Sequence, residues 1–354
     1  YNETKDMVIT FNGEIYNHRE LREELEAKGH VMGSRADTEV LIHGYEEWGE
    51  ELLQKLRGMF AFVIWDKKNK SIFGARDFFG IKPFYYTIAN GNLIYASEIK
   101  AILAHPDVRK EVNPIALENY LTFQYSVLEE TFFKGIFKLM PAHCFTFKDG
   151  KMDIKRYWEP VFEADRSKSL EEYVDEIDAA MQDSIKAHKV ADVEVGSFLS
   201  SGVDSSYVAA CFHGDKTFTV GFDYEKYNEI DYAKALSEKI KIDNYSKLIS
   251  KKEYWDSIPT VQYHMDEPLA DASAIALYFV TKTASEQVKT CMSGEGADEL
   301  FGGYPLYRQA VWAERWQKMP RAVRRALAAL LPGCGLLHRG ALPRWQRSAR
   351  ANYV

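Results

Sequence analysis

Apolar and polar positions keep two rhythms along this chain, and the change falls near residue 160. Before it, apolar residues come in short runs broken by turn formers. Residues 8–11 and 59–66 are apolar and rich in β-formers, and Lys67-Lys68-Asn69-Lys70 is a polar turn into a further strand at 71–75. Strands at 84–89 and 92–97 flank Asn90-Gly91, the pair favoured by type I′ hairpins because both positions need positive φ. A second hairpin, 144–148 and 152–157, turns at Asp149-Gly150. Helical spacing covers 18–28, ended by Gly29, then 38–45, and 114–123 behind the capping Asn113. The pattern predicts a mixed α+β layer domain.

After the polar stretch 159–168, Ser169 with Glu172 three residues on marks a helix start, and the domain boundary is placed there, giving domains 1–160 and 169–354. Helix and strand then alternate: helix 170–189, strand 193–199, helix 205–212, strand 216–222, helix 230–240 and a short strand 245–249. Helices 251–264 and 273–286 and a strand 288–292 complete the series. Such alternation predicts βαβ units and a parallel sheet covered on both faces.

Composition narrows the class. The 354 residues, 46% hydrophobic and 27% charged, suit a folded chain of two domains. The longest apolar stretch, 326–337, is interrupted by Pro332 and Gly333 and is too short to cross a bilayer, so no membrane span is expected. The first residues carry no secretory signal, and a chain opening on Tyr1 is expected to begin inside a longer protein. Cys144, Cys211, Cys291 and Cys334 are far apart, which favours a reducing, cytoplasmic setting. A net charge of −7 speaks against a nucleic-acid grip. From residue 301 onward, however, nine Arg and one Lys face Glu314 alone. That basic stretch is read as helical surface meeting acidic partners rather than as a nucleic-acid or membrane arm. His43, His188 and His264 are read as surface or core histidines rather than zinc ligands, since no His-Glu-x-x-His pattern occurs.

The densest chemistry is at 194–206, where an apolar strand runs into Leu199-Ser200-Ser201-Gly202-Val203-Asp204-Ser205-Ser206 and then a helix. Backbone N–H groups and hydroxyls converging on a helix N-terminus form a phosphate cradle. It is neither a Walker A loop nor a dinucleotide fingerprint. A Ser/Gly turn alone is commonly just a tight connection. Asp204 changes the balance, because an acid beside phosphate is unfavourable unless a divalent cation bridges them. A second loop, Ser293-Gly294-Glu295-Gly296-Ala297-Asp298-Glu299-Leu300-Phe301-Gly302-Gly303-Tyr304, follows the last expected strand. Both loops leave the carboxyl ends of parallel strands, so both should face one crevice. In the first domain, Phe11-Asn12-Gly13-Glu14-Ile15-Tyr16-Asn17 follows a strand, and Asp37 opens a helix. Singly, these read as a turn and a cap.

Together the segments resemble the glutamine-dependent asparagine synthetases, over nearly the whole chain and in that family's domain order. Further matching segments are Ala75-Arg76-Asp77, Gly80-Ile81-Lys82-Pro83-Phe84-Tyr85-Tyr86 and Ala96-Ser97-Glu98-Ile99-Lys100. The resemblance implies an α+β layered domain of the N-terminal-nucleophile hydrolase type, then an α/β parallel-sheet PP-loop domain, similar to adenine nucleotide alpha hydrolases, both incomplete. It implies ATP and Mg2+ as cofactors. The implied substrates are aspartate, ATP, and glutamine or ammonia, and the assembly it allows is a homodimer. By it, Asn12 and the Gly13 N–H form an oxyanion hole, and Glu14 and Asp37 bind glutamine's α-amino end. Leu199, Val220, Ser293 and Gly294 hold the nucleotide, Ser200, Gly202 and Ser205 cradle pyrophosphate, and Asp204 and Asp298 share magnesium. Glu295 lies beside the reacting acyl-adenylate. Ser201 stands where the usual loop has its first glycine, and is expected to tolerate the backbone conformation glycine would supply. The family's nucleophile is an N-terminal cysteine, which none of the four cysteines can be. That thiol and the arginine for glutamine's carboxylate are expected upstream of residue 1, and a phosphate-side lysine beyond Val354. The alternatives are a ligase of the same kind acting on another carboxylate, and a catalytically silent fragment.

Overall fold

The computed structural model describes residues 1–324 apart from 164, 215, 225–227, 269–270, 272 and 322. Cys334, the apolar stretch 326–337 and most of the basic stretch lie outside the described residues.

The first region opens with strand β1 (Met7–Ile15), helices α1 (His18–Ala27) and α2 (Asp37–Trp48), a 3-10 turn at Gly49–Glu51 and the single-turn α3 (Leu52–Lys55). Strands β2 (Gly58–Asp66), β3 (Ser71–Arg76), β4 (Tyr85–Ala89) and β5 (Asn92–Ala96) follow. Then come α4 (Ile99–Leu103), α5 (Pro114–Phe123), β6 (Phe137–Lys138), β7 (His143–Lys148) and β8 (Lys151–Arg156). An antiparallel five-stranded sheet runs β1-β2-β3-β7-β8, and a three-stranded sheet runs β5-β4-β6.

The continuous apolar run of β2 is explained by burial on both faces. Phe60, Phe62 and Ile64 pack with Leu21, Leu25, Val40 and Leu41 of the helices. The alternate residues Ala61 and Val63 pack with Phe84, Tyr86 and Phe145 between the sheets. The layers are therefore helices, large sheet, small sheet. Asn90 and Gly91 take φ of 50° and 79°, and Asp149 and Gly150 take 51° and 75°, as the two expected hairpin turns require. Helix α5 has the expected cap, with the Ile115 N–H donating to Asn113 Oδ1 at 3.1 Å and Pro114 at its first position.

The second region contains α6 (Leu170–His188), β9 (Val195–Phe198), α7 (Val203–Phe212), β10 (Lys216–Phe222), α8 (Ile230–Ile240), β11 (Asp243–Ile249), α9 (Lys251–Met265), α10 (Ser273–Ser285), β12 (Thr290–Met292), α11 (Ala297–Phe301) and α12 (Pro305–Lys318). Ser169 and Glu172 close a capping box at the start of α6. The four strands are parallel, in the order β11-β10-β9-β12. Both faces of the sheet are covered. Phe218 of β10 packs on Val280 and Ala284 of α10, while Thr217 on the opposite face meets Ser237 of α8 at 3.1 Å.

Polar contacts join the regions. Asp266, just past α9, accepts the Ile99 N–H at 2.7 Å at the start of α4, and its other oxygen pairs with Lys100 at 2.9 Å. The neighbouring Glu267 accepts the Phe132 N–H at 2.7 Å, and burial pushes its carboxyl above the usual range. Arg57 pairs with Asp183 at 2.6 Å. Among the described residues, no helix is long and apolar enough to cross a membrane.

Candidate functional site

In the second region the loops after β9 and β12 meet over a glycine. A Cβ on Gly294 would lie 2.9 Å from the Ser205 N and 3.2 Å from the Asp204 Cβ. Only a glycine lets the second loop lie this close to the start of α7. The cradle is pre-shaped by its own hydroxyls. Ser200 and Ser205 share a 2.8 Å hydrogen bond between hydroxyls, the Ser200 N–H donates to Ser205 Oγ at 3.1 Å, and the Gly202 N–H donates to Ser200 Oγ at 3.1 Å. In the second loop the Glu295 N–H donates to Ser293 Oγ at 3.2 Å, and Gly296 takes a φ of 91°, in the left-handed region.

Leu199, Ser200, Gly202, Asp204, Ser205, Val220, Ser293, Gly294, Glu295 and Asp298 all line one cleft of about 490 Å3 at the carboxyl ends of the parallel strands. Its apolar wall includes Phe198, Phe222, Leu277 and Val280. One end of the cleft is thus apolar, and the other carries hydroxyls, amides and carboxylates. That division suits a ligand with an aromatic base and a charged tail.

Ser201 corrects the expectation attached to it. It is not among the residues with positive φ, and Gly202 sits at φ −72°, so the loop does not need glycine's backbone freedom at position 201. The Ser201 N–H donates to Glu229 Oε2 at 3.2 Å. Glu299, the third carboxylate of the second loop's sequence, also lines the cleft, as do Glu229, Ser273 and Tyr304, which were not singled out as site residues from the sequence. Glu229 stands just before a helix, where an acid reads as an ordinary N-terminal charge. Tyr304 donates to Glu299 at 2.8 Å, and that bond pushes its phenol up to about 12.

The first region presents its candidate residues differently. Asn12, Gly13 and Glu14 lie on β1, the sheet's edge strand, paired with Ala61, Phe60 and Met59. Asp37 is not the cap of α2. It is the helix's first residue, and its Oδ2 accepts the Ile15 N–H at 3.0 Å, tying the helix start to the strand beside Glu14. Burial, followed by the Asp37 charge, pushes the Glu14 carboxyl above its ordinary value. Such a pair of acids is poised for a cation. Asn12 Nδ2 donates to Ser97 Oγ at 3.1 Å, and Asn12 lines a separate cleft of about 140 Å3 with Pro83, Phe84, Tyr95 and Ser97. Gly13, Glu14 and Asp37 do not line that cleft.

Arg76 and Asp77 organise the turn that follows β3. Buried Asp77 accepts the N–H groups of Phe60, Phe79, Ile81 and Lys82, and the Arg76 guanidinium donates to the carbonyls of Gly80, Lys82 and Leu139. Cys144 is buried in β7, and burial pushes its thiol up to about 11, the opposite of an activated nucleophile.

Two family models match the chain: a glutamine amidotransferase domain over residues 1–158, and asparagine synthase over residues 176–353. The chain belongs to the asparagine synthase family. It is 43% identical over 348 residues to the glutamine-hydrolysing asparagine synthetase 1 of Bacillus subtilis, covering 95% of this chain and 55% of that protein. It is 36% identical to synthetase 3 of the same organism, over 85% of this chain and 52% of that protein. With synthetase 2 of Oryza sativa subsp. japonica the identity is 31%, over 88% and 50%. The chain thus spans about half the length of the curated relatives it matches.

Proposed function

We propose that this chain forms part of a glutamine-hydrolysing asparagine synthetase, a ligase that amidates aspartate at the expense of ATP. The observation that carries the reading is the single cleft joining ten residues from β10, the loops after β9 and β12, and the first turns of α7 and α11. In this reading residues 169–354 are a PP-loop synthetase domain and residues 1–160 a glutaminase domain of the N-terminal-nucleophile type. Small molecules are then the partners, in the cytoplasm, with neither nucleic acid nor membrane involved, and a homodimer is the assembly allowed.

The adenine would lie against the apolar wall at Leu199 and Val220, beside Ser293 and Gly294. Ser200, Gly202 and Ser205 would hold the β- and γ-phosphates. An oxygen of the aspartate β-carboxylate attacks the α-phosphorus, the bond to the β-phosphate oxygen breaks, and pyrophosphate leaves. Ammonia then attacks the acyl carbon of β-aspartyl-AMP, loses a proton, and AMP departs. Glu295, on the cleft wall, would orient that acyl group and receive the proton. Asp204 and Asp298 fit a hard dication: both are carboxylates on the cleft wall, and the absent side chain of Gly303 leaves room against its α-carbon for the Asp298 carboxylate. When bound there, Mg2+ would neutralise charge on the departing pyrophosphate.

In the glutaminase half, Glu14 and Asp37 would take the substrate's α-ammonium. The Asn12 amide, turned from Ser97, and the Gly13 N–H would stabilise the oxyanion of the tetrahedral intermediate. The attacking thiol is the one the family resemblance implies ahead of Tyr1. Full-length protein supplied with aspartate, ATP, magnesium chloride and ammonium should release AMP and pyrophosphate in equal amounts. Release of ADP, or AMP formation indifferent to aspartate, would overturn the proposal.

A further inference from the structure

Away from both clefts, Glu3 in the turn before β1, His30 just past α1 and His43 on α2 bring three donor atoms within 4.8 Å of one another. His43 is 1% exposed, and its Nδ1 faces His30 Nδ1 at 3.3 Å, Glu3 Oε2 at 3.5 Å and Glu46 Oε2 at 3.3 Å. One ring nitrogen has at most one proton to give, yet three lone-pair atoms converge on it. The separations also exceed the 2.7–3.2 Å usual for hydrogen bonds to nitrogen donors. They match another geometry: two ligands about 2.0–2.1 Å from a tetrahedral zinc lie about 3.3–3.4 Å apart.

We propose that Glu3, His30 and His43 form a structural zinc site, with water in the fourth position. The surroundings are those such a site needs. The far ring nitrogen of His30, Nε2, meets Glu47 Oε2 at 3.3 Å, and Glu47 is in turn held by Lys28 at 2.8 Å, which leaves Nδ1 to face inward. Glu3 Oε1 accepts the Val31 N–H at 3.2 Å, which aims its other oxygen at His43. Asn2 holds Glu46 Oε1 at 2.7 Å and places a further carboxylate beside the metal position. A zinc here would pin the entry turn, the end of α1 and α2 together around β1, which carries Asn12, Gly13 and Glu14. Positions 3, 30 and 43 match no zinc signature, so the sequence reading of His43 as a surface or core histidine had nothing to set against it.

The test is zinc chloride titrated into chelator-stripped protein, read by calorimetry, by metal content after dialysis, and by melting temperature. One equivalent should bind and raise the melting temperature. Glu3→Gln and His30→Asn alter less buried residues, and each should weaken zinc binding at least about tenfold and remove the thermal shift. Glu47→Gln should weaken it less. Absence of stoichiometric zinc in the folded wild-type chain, or full affinity retained by both Glu3→Gln and His30→Asn, would overturn the proposal. None of these readouts depends on synthetase activity.

Discussion

The two regions solve the placing of functional groups in opposite ways. In the first, Asn12, Gly13 and Glu14 ride on a strand whose backbone is fixed by nine register pairs to β2, and β2 is buried on both faces. In the second, the candidate residues sit mostly on two loops that no strand pairing restrains. Those loops are held by serine hydroxyls and by the contact of Gly294 with the start of α7. Strand-borne groups therefore share their fate with the fold, whereas loop-borne groups can be lost while the fold stands. Substitutions in the two regions should separate along that line.

The largest effect is expected at the cleft. Asp204→Ala and Asp298→Ala should each lower synthesis by about 10²–10³-fold while leaving the melting temperature and glutamine hydrolysis nearly unchanged. Loss of both activities together would break the distinction. Next comes Asp77→Ala in the first region. It leaves the buried Phe60 N–H and three partly buried N–H groups short of an acceptor and should cost about 3 kcal/mol in denaturant unfolding. A smaller pair sharpens the comparison directly. In Gly13→Ala the new Cβ would lie 2.2 Å from the Met59 carbonyl oxygen, and about 1–3 kcal/mol of stability should be lost. Gly294→Ala should cost little stability but raise the KM for ATP about tenfold or more, because its Cβ pushes on Asp204 and Ser205.

The smallest effect carries a sign. Burial and Asp37 disfavour ionised Glu14, so wild type has an advantage at low pH that is lost as pH rises through the raised folded-state pKa. Glu14→Gln should therefore melt slightly higher than wild type at neutral pH, with the difference fading on acidification, and yet bind glutamine more weakly. A melting temperature lowered at neutral pH would contradict the reading of Glu14 as a carboxylate disfavoured by burial and by Asp37.

The same contrast governs what was legible in the sequence. Loops and helix starts that build the second region's cleft announce themselves through Ser, Gly and Asp at fixed offsets, and all ten residues read from them and from β10 line the cleft. Helices with local start signals were also readable: Asn113-Pro114 gives α5 its bounds, and Ser169 with Glu172 starts α6. What escaped depends on distant partners. Helix α4 is one short turn whose first N–H is held by Asp266, far along the chain, and no local pattern announces it. Strand β11 begins at the polar Asp243 and Asn244, two residues before the apolar signal, because β10 pairs with it along its whole length. Strand β12 is shorter than the apolar run suggested, with Val288 and Lys289 outside it. Asp37 reads as a cap, yet its partner is the Ile15 N–H across the domain. Family resemblance, not periodicity, singled out Glu14 and Asp37.

The central claim is that the second region's cleft joins aspartate to AMP, and isotope transfer tests it most directly. Aspartate labelled with heavy oxygen in its β-carboxylate should, with ATP, magnesium and ammonia, deliver one labelled oxygen to each AMP released. Unlabelled AMP, or label recovered in inorganic phosphate alongside ADP, would contradict the account.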